Sequence, residues 1–242
     1  MERIFQWFII ILSQLSFSQN LSGIVEYKVI SQITTDTISN QRTAAIFENI
    51  TNQFEKLSFR LEFNANESIF ELNTILKSDN SAEKAFVSQA ISIVEGETTY
   101  LNLAESKRLI IKKLFSDVFL VSDNLEIDWK IVNNSKEING YECFKAEVIL
   151  KADKMHTKDR QVTAWFTNKI PVSHGPRGFA GLPGLILELQ VDDIDFVANK
   201  ITFKNKDEVK INAPTKGIKL TLPEYHNLVM EKIYEYGFEK RQ

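Results

Sequence analysis

A single cysteine, Cys143, stands in 242 residues, so no disulfide can form within the chain. Stability must come from packing, and a chain of this length can bury a full core. Proline and glycine are scarce, at five and nine residues, so any place where they gather is informative. Neither sign of charge is in large excess. Lys and Arg total 29 against 32 Asp and Glu, a net charge of −3 with the signs interspersed. This balance removes the electrostatic case for nucleic acid, which needs a basic face. It also offers no basic run to hold a membrane surface. Histidine occurs three times, at His156, His174 and His226, without the spacing of a helical metal pair. No apolar stretch reaches the ~20 residues that cross a bilayer as a helix. No cofactor motif is present, and no cofactor is expected.

What is present begins with an address. Met1-Glu2-Arg3 precedes an apolar run from Ile4 to Leu12 broken only by Gln6, then a small and polar stretch from Ser13 to Ser18. This is the order of a secretory signal peptide, with Ser16 and Ser18 at the −3 and −1 positions of a cut before Gln19. No Cys lies near the cut to carry a lipid. The chain is therefore expected to reach the periplasm, the cell surface or the medium, with residues 19–242 as one domain.

That domain reads as mainly β, of the α+β kind. Phenylalanine is frequent, at 17 residues, which suits a sheet core. Period-two alternation runs through 24–30, 59–63, 69–75, 98–103, 108–115, 127–133, 141–150, 160–167, 185–191 and 196–204. The links are short, and Asn139-Gly140 is a hairpin turn signal. Residues 43–57 and 82–94 have mixed spacing and fit helix or strand. Thr221-Leu222-Pro223-Glu224 is a capping box. Behind it Tyr225, Leu228, Val229, Ile233 and Tyr236 form a helical stripe, which predicts a helix from about Pro223 to Gly237 packed on the sheet. In 160–167, Trp165 opposes Val162, Ala164 and Phe166; in 141–150, Tyr141 and Cys143 oppose Phe144, Ala146, Val148 and Leu150. Large side chains on both faces call for cover on both. The expected architecture is a curved antiparallel sheet or open half-barrel with the C-terminal helix on it.

The scarce residues gather in 163–188, which holds four of the nine glycines and three of the five prolines. The segment does not match a phosphate-binding loop, since no Gly-Lys-Ser/Thr follows and a strand comes next. It reads as a tight corner delivering Leu185, Ile186 and Leu187 into the core, or as a binding loop. Pro183 fixes its own φ and suits the second position of a type II turn, which would put Gly184 at positive φ; Gly181 is the other candidate for that conformation. Other chemistry is thin. His174 with Cys143 and Met155 or His156 would suit a soft metal. Cys143 as a nucleophile would need a histidine near it in space; an inert thiol on a covered face is the simpler reading. Ser173 beside His174 is no nucleophile elbow. Asp192, Asp193 and Asp195 lack the spacing of a calcium loop and read as a solvated turn.

Gly181-Leu182-Pro183-Gly184-Leu185-Ile186 resembles the signature of the GLPGLI family of exported Bacteroidetes proteins, of Porphyromonas type. Trp165 within Ala164-Trp165-Phe166-Thr167, Pro171 within Ile170-Pro171, Gly175-Pro176 and the upstream Tyr141-Glu142-Cys143-Phe144-Lys145-Ala146 fit the same resemblance. It implies export and supplies no catalytic residues. Asp36-Thr37-Ile38 resembles the O-glycosylation signal of that phylum, which makes Thr37 a candidate glycan site. Two function classes follow. One is a non-catalytic carrier of an apolar ligand, or a module that binds a cell-envelope protein; an enclosed apolar cavity would mark the carrier. The other is a metal-handling protein or enzyme built on the Gly-rich loop with His174 and Arg177.

Overall fold

The computed structural model describes residues 21–33, 38–74, 81–124, 126–205 and 208–235. The signal-peptide expectation, Thr37, and Tyr236 and Gly237 at the end of the expected helix lie outside these residues. In chain order the elements are β1 (Ser22–Ser31), α1 (Gln41–Thr51), β2 (Ser58–Phe63), β3 (Glu67–Thr74), α2 (Ser81–Ile93), β4 (Thr98–Asn102) and β5 (Lys107–Leu114). Then come β6 (Asp117–Asp123), β7 (Lys130–Ile138), β8 (Tyr141–Leu150), β9 (Arg160–Thr167), β10 (Leu185–Val191), β11 (Ile194–Lys204), β12 (Ile218–Thr221) and α3 (Leu222–Glu235).

All twelve strands form one open sheet in the order β12-β6-β5-β4-β3-β2-β1-β11-β10-β9-β8-β7. The first strand is central. From it the chain meanders outward through β2 to β6, then enters the far edge at β7 and meanders back through β8 to β11, which closes on β1. Among the described residues only β12 pairs in parallel, beside β6. The step from β6 to β7 shows how strongly the sheet curls. Ten strand spacings separate the two in the sheet order, about 48 Å if flat. The link from Asp123 to Lys130 spans at most about 25 Å of extended chain. The two wings must therefore bend toward each other, as in an open half-barrel.

One face of this sheet is largely apolar from β6 to β8. Register aligns Val121, Ile110, Thr99, Phe70, Leu61 and Val25 across one wing. It aligns Val29, Phe196, Leu189, Ala164 and Ala146 across the other. Every one of these is buried. Phe59, Phe70 and Phe196 pack ring to ring at centroid separations of 5.1–5.7 Å, geometry that adds to area burial. Residues 43–57 and 82–94 supply α1, a short 3-10 turn at Phe54–Lys56, and α2, which send Ile50, Phe54, Val87, Ala90 and Val94 into the same core. Asn40 caps α1 through its side chain, accepting from the Thr43 amide at 3.1 Å. The second face has a smaller cluster of Tyr100, Leu109 and Leu120 with Ile111 and Ile211.

Helix α3 begins where the capping box places it. The Thr221 amide and hydroxyl both donate to the Glu224 carboxylate, each at 2.7 Å. Tyr225 and Val229 are buried against Ile110, Phe119 and Val121, with Leu228 and Ile233 beside them.

Candidate functional site

The long connection from β9 to β10 folds back across the inner face. It is tied to its own strand by Leu185 N–H to Ile170 O at 2.9 Å and Ile186 N–H to His174 O at 3.0 Å. The Gly181 amide donates to Ser173 Oγ at 2.7 Å, and the Trp129 indole donates to Ala180 O at 2.8 Å. Tyr27, fully buried on β1, donates its hydroxyl to Ile186 O at 2.6 Å. His174 is fully buried and donates Nε2–H to Asn64 O, in the β2–β3 turn, at 3.0 Å. A β-bulge between Ile186 and Glu188 explains how Leu185, Ile186 and Leu187 are all fully buried in succession.

The glycines of this segment serve close approach. A Cβ on Gly175 would lie 2.7 Å from the Ile186 side chain, and one on Gly178 would lie 2.6 Å from Thr99. Gly181 has φ +97°. Gly184 corrects the expected turn. Its φ is not positive; a Cβ there would stand 2.2 Å from Thr167 O. Glycine is required at 184 by the neighbouring strand rather than by a left-handed conformation. Leu182 is buried, Pro176 opens a short 3-10 turn, and Pro183 stands at the surface. On the outer face Trp165 lies under Lys136, whose ammonium is 4.4 Å from the ring centroid and 2.7 Å from Glu188.

The two residues singled out as a possible reactive pair part company. His174 belongs to the core, while Arg177 turns the other way, at φ +57°, into a charged cleft. The cleft has a volume of about 300 Å³ and lies between the two wings. Arg108, Ile110 and Lys112 of β5 and Asp123 of β6 form one wall, with Leu222 and His226 of α3. Leu150, Lys151, Asp153, His156 and Arg160 form the other, and Arg177 and Phe179 of the loop join them. Glu95, just past α2 and itself at φ +49°, is the hub. Its carboxylate pairs with Arg177, with Arg160 at 3.2 Å and with His156 at 3.2 Å. Arg108 pairs with Asp123, and Lys112 with Glu97 at 2.8 Å.

Two of these charges are held largely out of water. The side chains of Arg108 and Arg177 are 10% and 12% exposed. Burial pulls the Arg177 guanidinium down to about 10 and that of Arg108 below its ordinary value, against the pull of Asp123. Burial also lowers His226. At Asp153, burial raises the carboxyl, but the amides of His156 and Met155 outweigh it and hold it low. His156 and His226, 70 positions apart in sequence, thus line one cleft. The sequence gives no spacing signal for this, because the wings meet only through sheet curvature.

The metal expectation finds no geometry. Cys143 is buried beside the outer face, its Sγ 3.4 Å from Tyr141 O, and burial raises its thiol to about 11. Among the described residues no group of three or more His, Cys, Asp and Glu side chains is placed to hold a metal ion. Asp192 and Asp193 form the exposed β10–β11 turn, and Asp195 accepts from Gln32 at 2.7 Å. On the inner face Ile170, Val172, Phe179 and Leu182 of the β9–β10 loop join the core. No helix among the described residues is long and apolar enough to cross a membrane.

Residues 150–188 match the model of a family described as "Protein of unknown function (Porph_ging)". The match contains one wall of the cleft and the whole β9–β10 loop. No curated protein matches the chain. Among solved structures, two crystal forms of PNGF-II, in space groups C2 and P21, each superpose with a TM-score of 0.51 at 12% identity. The superpositions cover 87% of this chain and 33% or 34% of those chains. The likeness is one of fold, and this chain spans about a third of their length.

Proposed function

We propose that this is an exported, non-catalytic binding protein that captures its ligand in the cleft between the two wings. The observation that carries the reading is a set of three largely buried guanidiniums lining a cleft of about 300 Å³, Arg160 and Arg177 held by Glu95 and Arg108 by Asp123. Cations so expensive to bury are kept where they meet something. The N-terminal apolar run and the Ser16/Ser18 pattern support export to the periplasm or cell surface. The charged lining favours a polar ligand over the apolar one expected from the layout alone. Engagement of Glu95, Glu97 and Asp123 in ion pairs supports binding over catalysis, since a general base needs a carboxylate free to take a proton.

Native mass spectrometry of protein purified from its own cell envelope tests this. A bound mass in the parent that disappears in His226→Ala, at unchanged melting temperature, is the expected result. No bound mass in the parent, or one retained in the variant, would overturn it.

A further inference from the structure

We propose that the cleft receives its ligand by an oxyanion, a carboxylate or a phosphate, on the buried guanidinium of Arg108. This deepens the binding reading above and rests on it. Arg108 spends one terminal nitrogen on Asp123, while its Nε–H is buried without a partner. A buried N–H without an acceptor is rare and destabilising, and an oxygen brought beside it recovers that loss. The guanidinium presents its donors as a planar fork, which fits a carboxylate or phosphate edge.

The cleft lining is rich in cations. Five cationic side chains, Arg108, Lys112, Lys151, Arg160 and Arg177, line it against four carboxylates, those of Glu95, Glu97, Asp123 and Asp153. Lys151 is mostly exposed and pairs at 2.8 Å with Asp159 beyond the lining, so the cations that belong to the cleft itself are Arg108, Lys112, Arg160 and Arg177. Asp192 faces Arg177 from beyond the Glu95 network, but it is exposed and screened by water. Burial weakens both Arg108 and Arg177 as cations, so an anion entering beside them restores what desolvation removed.

The test is calorimetric titration of the full mature chain with D-glucuronate, inorganic phosphate and D-glucose. Glucuronate and glucose differ at the carboxylate, so the pair isolates the anion, and phosphate separates the two anion classes. The expected result is binding of at least one anion, at least about tenfold tighter than glucose, weakening as salt is raised. Arg108→Gln should weaken it at least about tenfold. Should that variant fail to fold around an unpaired Asp123, the double variant R108Q/D123N keeps the cleft's net charge and should lose binding equally. Glucose binding as tightly as glucuronate, neither anion binding, or anion binding indifferent to the loss of Arg108 would overturn the proposal. A neutral molecule found in the cleft by native mass spectrometry would overturn it while leaving the binding reading standing.

Discussion

At Gly184 one hydrogen atom decides the packing, because Thr167 O occupies the place a methyl group would take. Gly184→Ala is expected to destabilise the fold by about 2 kcal/mol through overpacking against backbone that cannot yield. Gly140, at φ +78° with open space around it, should lose only about 1 kcal/mol on the same change, from conformation alone; thermal melts of the two variants separate the causes. His174 carries a pH signature. Burial lowers it from its ordinary 6.5 to about 4, and no acceptor faces its Nδ1 to hold an added proton. Between those values the unfolded chain binds the proton and the folded chain does not. The stability of the neutral ring is therefore whole above about pH 6.5 and is lost as the pH falls toward 4, up to about 3 kcal/mol. The melting-temperature gap between parent and His174→Gln should narrow over that fall; a gap constant with pH would refute it. Sequence alone singled out both His174 and Gly184. It could not tell that the histidine serves the core, since its partner is a carbonyl in a turn 110 positions away.

Strands with clean alternation were legible, and so was the capped C-terminal helix. Two strands were not. β6 carries Val118-Phe119-Leu120-Val121 as a continuous run with no period to read, and β12 is four residues long with no buried member. The second is held by parallel pairing to β6 and by its junction with α3, both supplied by tertiary structure. At that junction Thr221→Ala removes one of two bonds to Glu224 and should cost somewhat under about 1 kcal/mol. Glu224→Ala removes both and should lower the melting temperature further. Deleting residues 222–242 uncovers Phe119 and Val121 and should cost far more than either; a truncated chain that melts like the parent would show that the helix is not docked. The cleft was the least legible feature. Its residues come from α2's exit, β5, β6, the β8–β9 link, the loop and α3, and no local pattern joins them. Arg177, His156 and His226 were each weighed in the sequence, but nothing local showed that they share one cleft.

Across the whole molecule the curl of the sheet makes the cleft, and the link over 124–129 limits how far the wings part. Lengthening that link by six Gly and Ser residues should cost only about 0.6 kcal/mol of closure entropy, while ligand uptake falls because the walls lose their fixed spacing. A melt and a titration on the same variant measure both. The central place of β1 bears equally on how the molecule is made. Ser22 donates to Lys204 O across 182 positions of sequence, so β1 emerges in synthesis well before β11, its second neighbour. Until β11 arrives, the strand lies with one backbone edge unpaired and its apolar side chains half covered. Such an edge is a template for the wrong partner, and pairing of this range is slow to form. Refolding should accordingly lose yield steeply as protein concentration rises, and the nascent chain should depend on a chaperone that shields that edge until its last partner is made.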